Sequence, residues 1–141
     1  MRARRDAPPQ MPEFVRDNRE VQRLVSIDSR VPYALTGITT EDFARIVPFL
    51  TFIQESPNII SGDTVRYINI FKRLNDEQAN NLRNMIGNAD VSRLISMDYR
   101  TIFVLRNITP ERFEIILPRL PEVNSRQRLR EIIERSELPR P

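Results

Sequence analysis

Apolar residues recur at helical spacing along almost the whole chain. Phe14, Val21, Leu24 and Val25 fall on one face of a helix predicted over 12–27, with proline in its first turn and Asp28-Ser29-Arg30 as its end. The short apolar run 31–35 has no resolvable period and reads as a strand-like connector or a helical turn. Thr39 then caps a second helix. Glu41 and Asp42 occupy its first turn, where the helix dipole favours acid. Phe43, Ile46, Val47, Leu50 and Ile53 form its apolar stripe. Pro48 interrupts that stripe, and a proline inside a helix removes a hydrogen bond and kinks or ends it.

After the connector 54–62, Asp63 or Ser61 is expected to cap a helix carrying Val65, Ile68, Phe71 and Leu74. Asn75 caps the next, with Ala79, Leu82 and Ile86 in line, and Gly87 is placed to stop it in the left-handed conformation. Asp90 is the expected cap of a helix over 91–97. Thr109 and Pro110 open another, and Asn124 or Ser125 the last. In that last helix Leu129, Ile132 and Ile133 point inward and the arginines outward. Nearly every segment reads as helix, so the expected fold is all-α, a small bundle or a short helical repeat array.

The pattern repeats. Residues 21–50 align without a gap on residues 91–120 at an offset of 70, and 14 of the 30 aligned positions are identical. Val25/Ile95, Ile27/Met97, Tyr33/Phe103 and Val47/Leu117 are conservative replacements. Pro48 and Pro118 also coincide, which makes a bend at that point an expected part of the repeated unit. A regular repeat at fixed offset sets architecture before any other feature. A weaker echo of the capped helix start at Ile38-Thr39 lies at Leu74-Asn75. The expected organisation is one all-α domain over 12–137 containing the two copies, with an Arg/Pro-rich tail over 1–11 and a short tail over 138–141.

Composition narrows the chemistry. The chain has 141 residues, enough for a real core, with 29% charged residues and no cysteine or histidine. The commonest general base at neutral pH and the thiolate nucleophile are therefore both missing. Zinc, iron and copper sites are not expected, nor is any cofactor. No acidic loop has calcium-binding spacing, and three glycines cannot build a phosphate-cradling loop. No apolar run reaches the length of a membrane span, and the basic N-terminus lacks the apolar core of a secretory signal. An intracellular protein, or a virion component, is expected. The basic residues are 21 arginines and a single lysine, Lys72. Arginine makes bidentate bonds and is enriched at interfaces.

No residue is expected to be catalytic. Glu41 and Glu111 could suggest paired carboxylates, but each occupies the second position of a predicted helix, where acid is simply favourable. The duplicated Asp-x-Arg pairs, Asp28/Arg30 and Asp98/Arg100, read as turn-fixing ion pairs. Phe43, Phe71, Phe103 and Phe113 read as core. Phe49 and Phe52, set off the main stripe, are candidate partner-binding anchors together with Arg2, Arg4 and Arg5 of the tail. The second copy has Arg119 and Glu122 in place of those two phenylalanines. Arg126, Arg128 and Arg130 are candidate phosphate contacts. Glu122, Glu131, Glu134 and Glu137 interleave with them, and no aromatic does, which argues against base stacking. The leading expectation is a non-enzymatic adaptor or structural subunit that contacts other protein subunits of a larger assembly, of the kind that would suit a capsid or nucleocapsid accessory. The competing expectation is a helical nucleic-acid-binding protein using its Arg-rich ends.

Overall fold

A short polar side chain caps most of the helices in this structure. The computed structural model describes residues 11–136. Among these residues all regular structure is helical. The chain divides into two units, one ending at Arg73 and the other beginning at Leu74.

The first unit contains α1 (Glu13–Arg16), α2 (Arg19–Ile27), α3 (Val31–Leu35), α4 (Thr40–Gln54) and α5 (Thr64–Lys72), the last preceded by a 3-10 turn over Ser61–Asp63. The single helix expected over 12–27 is two helices. Asn18 breaks it, because its side chain accepts from the Val21 N–H at 3.0 Å and restarts the chain as an N-cap. The run 31–35 is a five-residue helix with Pro32 in its first turn. Gly37, at φ 71°, closes it in the left-handed region that favours glycine.

Helix α4 does not stop at Pro48 but continues to Gln54. The lost hydrogen bond is offset by burial. Phe49, Leu50, Phe52 and Ile53, all beyond the proline, are buried, and α4 packs along α5. The Phe49 ring stacks on Phe71 at 4.4 Å and 3°, and Phe52 meets Phe71 edge-on at 6.4 Å. Helices α2 and α3 cover the other side, burying Val21, Leu24, Val31 and Leu35. The only lysine is a tether here: Lys72 Nζ donates to the Ala34 carbonyl at 2.6 Å, joining the end of α5 to α3.

The second unit contains α6 (Asp76–Met85), α7 (Ala89–Met97), α8 (Thr101–Leu105), α9 (Pro110–Ile116), a 3-10 segment over Leu117–Glu122, and α10 (Arg126–Ser136). Asn75 and Gln78 cap α6 reciprocally. Gly87 is not left-handed, contrary to expectation. Asn88 ends the connection by capping α7, accepting from both Asp90 and Val91 N–H groups, so Asp90 is a first-turn acid and not the cap. Thr109 caps α9 with Pro110 in the first turn. The α-helix ends before Pro118, where α4 runs through the corresponding Pro48. Pro121 explains the difference. Two prolines three residues apart remove two N–H donors from the α pattern, and the segment takes the tighter 3-10 form, with Leu117 still in the helical region at φ −53° and ψ −46°.

Element bounds recur at the offset of 70. Arg19–Ile27 matches Ala89–Met97, Val31–Leu35 matches Thr101–Leu105, and Thr40 and Pro110 both begin helices. Buried positions recur too: Val21/Val91, Leu24/Leu94, Leu35/Leu105, Ile46/Ile116 and Leu50/Leu120. Where Thr101 replaces the apolar Val31, its buried hydroxyl donates to the Leu94 carbonyl at 3.1 Å.

Phe71→Ala is expected to destabilise the first unit by about 3–5 kcal/mol, because it removes the ring on which Phe49 and Phe52 pack. Phe103→Ala, at an exposed position, is expected to cost less than about 1 kcal/mol. Urea denaturation followed by circular dichroism measures both. Equal losses would contradict the packing described.

Candidate interaction surface

The chain leaves α2 and α7 through an aspartate in extended conformation. Asp28 has φ −140° and ψ 110°, and Asp98 has φ −152° and ψ 110°. A carboxylate there reaches the N–H two residues on, an Asx-type turn. Asp28 Oδ1 accepts from the Arg30 backbone N–H and from Arg30 Nε, each at 3.0 Å, and Oδ2 accepts from Nη2 at 2.8 Å. Asp98 accepts the same three bonds from Arg100 at 3.0, 3.0 and 3.2 Å. The planar guanidinium fits a carboxylate through two parallel bonds, which a lysine cannot do. The side-chain bonds from Arg30 and Arg100 hold both aspartates below the usual carboxylate pKa, and the backbone bonds add to this while burial opposes it. Both arginines are pushed up by the same pairing.

Each clamp differs in what else it holds. Arg30 Nη2 also donates to the Gly62 carbonyl at 3.1 Å, tying the turn to the approach to α5. In the second unit the Asp98 carboxylate lies 3.4 Å from Arg126 Nε as well as binding Arg100, so one carboxylate holds two guanidiniums together.

Exposed apolar side chains flank both clamps. Ile27 and Met97, the last residues of α2 and α7, are 53% and 57% exposed. Tyr33 and Phe103, the third residues of α3 and α8, are 65% and 42% exposed. Phe103 was expected in the core with Phe43, Phe71 and Phe113. Those three are buried and Phe103 is not. In α8 the buried face is taken by Ile102 and Leu105, which leaves Phe103 outward. The Arg106 guanidinium lies 5.1 Å from its ring centroid.

An open cleft of about 540 Å³ lies beside Phe103. Arg100, Phe103 and Val104 line one wall, and Arg126, Arg130, Ile133 and Glu134 of α10 line the other. A smaller pocket of about 220 Å³ lies against Met97, Asp98 and Arg126. At the offset of 70 from Arg126 and Arg130, which lie on α10, stand Ser56 and Ile60 in the connector between α4 and α5.

The other expected site residues fall as follows. Phe49 and Phe52 are buried, because α4 continues past Pro48 and carries them onto the face covered by α5; neither is an exposed anchor. Arg2, Arg4 and Arg5 lie outside the described residues. Arg128 pairs with Glu131 at 3.4 Å and with Glu122 at 3.6 Å. Arg130 is exposed and has no ion-pair partner among the described residues. Glu41 and Glu111 are exposed first-turn residues of α4 and α9. No group of acidic residues that could hold a metal occurs among the described residues, and no helix there is long and apolar enough to cross a membrane.

The Ile27/Met97 and Tyr33/Phe103 pairs were visible in the sequence as conservative replacements. Helical phase misplaces them: Ile27 continues the Val21–Leu24 stripe, yet the chain turns away at Asp28 before it can be covered.

The depressed aspartates fix the sign of the pH response. They contribute stability that is present above the ordinary aspartate pKa, near 4, and is lost as pH falls below it through the folded values. Asp28→Asn with Asp98→Asn is expected to melt lower than the parent at pH 7 and to lose less of its melting temperature on acidification from pH 5 to pH 2. Thermal melts across that range check it, and parallel curves for the two proteins would contradict the assignment.

Compared with protein-family models, with curated proteins and with solved structures, the chain matches none.

Proposed function

We propose that the chain is a tandem of two copies of one helical unit, and that it works as a non-enzymatic adaptor, a structural subunit contacting other proteins in a larger assembly. One observation carries the reading: both units expose the same apolar pair around the same aspartate–arginine clamp. Ile27 and Tyr33 flank Asp28/Arg30, and Met97 and Phe103 flank Asp98/Arg100. Large apolar side chains in water forgo the free energy of burial, and an interface recovers it. Aromatic residues beside arginine are also the composition of interaction hot spots. Two like surfaces on one chain let it engage two like partner segments, which raises avidity without new contacts.

Charge weighs against the nucleic-acid reading. Of its three proposed phosphate contacts, Arg126 lies against Asp98 and Arg128 against Glu131 and Glu122. Phosphates bound at Arg128 would have to displace two carboxylates, and at Arg126 they would share the guanidinium with Asp98.

Native protein purified in low and in high salt tests the reading, with Tyr33→Ser and Phe103→Ser as variants. A stoichiometric protein partner is expected to survive high salt, to weaken in each variant and to be lost when both are combined, with helicity unchanged. Recovery of nucleic acid alone, removed by salt with the steep logarithmic dependence of phosphate contacts, would overturn it.

A further inference from the structure

The second unit differs from the first in one respect that bears on ligand chemistry. Its clamp opens onto the cleft between α8 and α10, and three guanidiniums line that cleft: Arg100, Arg126 and Arg130. The carboxylates facing them are Asp98, already engaged with two of the three, and Glu134. One positive charge is left uncompensated. Asp98 lies 3.4 Å from Arg126 Nε, a contact that leaves that buried N–H without a hydrogen bond, and Arg130 bonds to nothing among the described residues. Like charges gathered at one place repel, and the arrangement is relieved by an anion that accepts from their free N–H groups. The cleft is not purely a charge site. Phe103, Val104 and Ile133 supply an apolar wall in the same space. Free phosphate or a nucleic-acid backbone has no use for that wall. A peptide with carboxylate side chains beside apolar ones uses both.

Taking the adaptor reading as its premise, we infer that the α8–α10 cleft seats an acidic segment of the partner protein, with glutamate or aspartate side chains on Arg126 and Arg130 and an apolar side chain against Phe103 and Ile133. In the first unit the residues 70 positions earlier, Ser56 and Ile60, are uncharged and lie in the connector between α4 and α5, so its exposed pair offers a partner the apolar contact. The two units therefore share the exposed apolar pair and differ in the charge beside it.

The experiment uses the full chain and fluorescence anisotropy with a labelled short peptide of alternating glutamate and leucine. Its glutamine-for-glutamate twin and a single-stranded oligonucleotide of equal charge are the comparisons. The glutamate peptide is expected to bind and its twin not to. Arg130→Gln, which breaks no bond among the described residues, and Arg126→Gln/Arg130→Gln are expected to weaken binding, the double variant by about tenfold or more. Phe103→Ser is expected to weaken it as well. Arg73→Gln/Arg83→Gln removes the same charge from exposed positions elsewhere and is expected to leave binding unchanged. Equal loss in that control would mean bulk charge attraction and would overturn the inference. So would displacement of the peptide by the oligonucleotide with matching sensitivity to Arg126 and Arg130. If the glutamate peptide fails to bind while a protein partner is still retained and lost on Tyr33→Ser with Phe103→Ser, the acidic seat is wrong and the adaptor reading stands. Loss of both would remove both.

Discussion

Short helices do not hold themselves together. Nucleation is unfavourable and each added residue contributes little, so isolated helices of four to eleven residues are mostly unfolded in water. Among the described residues only Thr40–Gln54 is longer. Every other helix depends on burying its apolar row against a neighbour at one fixed register. Caps and turns then decide where each helix starts. Asn18, Thr39, Asn75, Asn88 and Thr109 each accept a backbone N–H from the first turn of the helix they open. Asp28 and Asp98 do the corresponding work at the exits. Sequence punctuation places the helices, and the core makes them persist.

That division explains what was legible in the sequence. The all-α class, Thr39, Asn75 and Thr109 as caps, and the inward row of α10 all follow from local pattern. The misses came where two local signals competed, or where tertiary packing overrode one. Asn18 lies inside an apolar row that reads as one helix, and Asn88 lies two residues before Asp90, a second cap-forming residue that competes for the same helix start. Pro48 alone reads as a stop, yet the phenylalanines beyond it bury enough surface to carry α4 through. Two prolines in the second unit tip the same choice the other way. The exposed pairs around the clamps could not be read from periodicity, because the phase of a helix says nothing about where its neighbour stops.

The preference for arginine has a structural side as well as the proposed binding one. Several guanidiniums bond carbonyls at segment ends where water would otherwise be needed. Arg93 Nη1 donates to the Val123 carbonyl at 2.9 Å, closing the end of the 3-10 segment against α7. Arg112 Nη2 donates to the Ile133 carbonyl and the Ser136 hydroxyl at the end of α10, where a cation also suits the helix dipole. Forked donors with long stems reach such places while their aliphatic parts cover apolar surface. The arginines of the α8–α10 cleft stand apart because they line a cavity and bond no segment-end carbonyl among the described residues.

The single lysine has a consequence of another kind. Lys72 holds the only ε-amine in the chain, and it is half-buried on the Ala34 carbonyl. A reagent that seeks lysine side chains finds a single target, the amine that ties α5 to α3, and reacts faster when that tether opens. Side-chain acylation or a lysine-specific protease therefore reads the opening of the first unit at a single atom, with no background from other lysines.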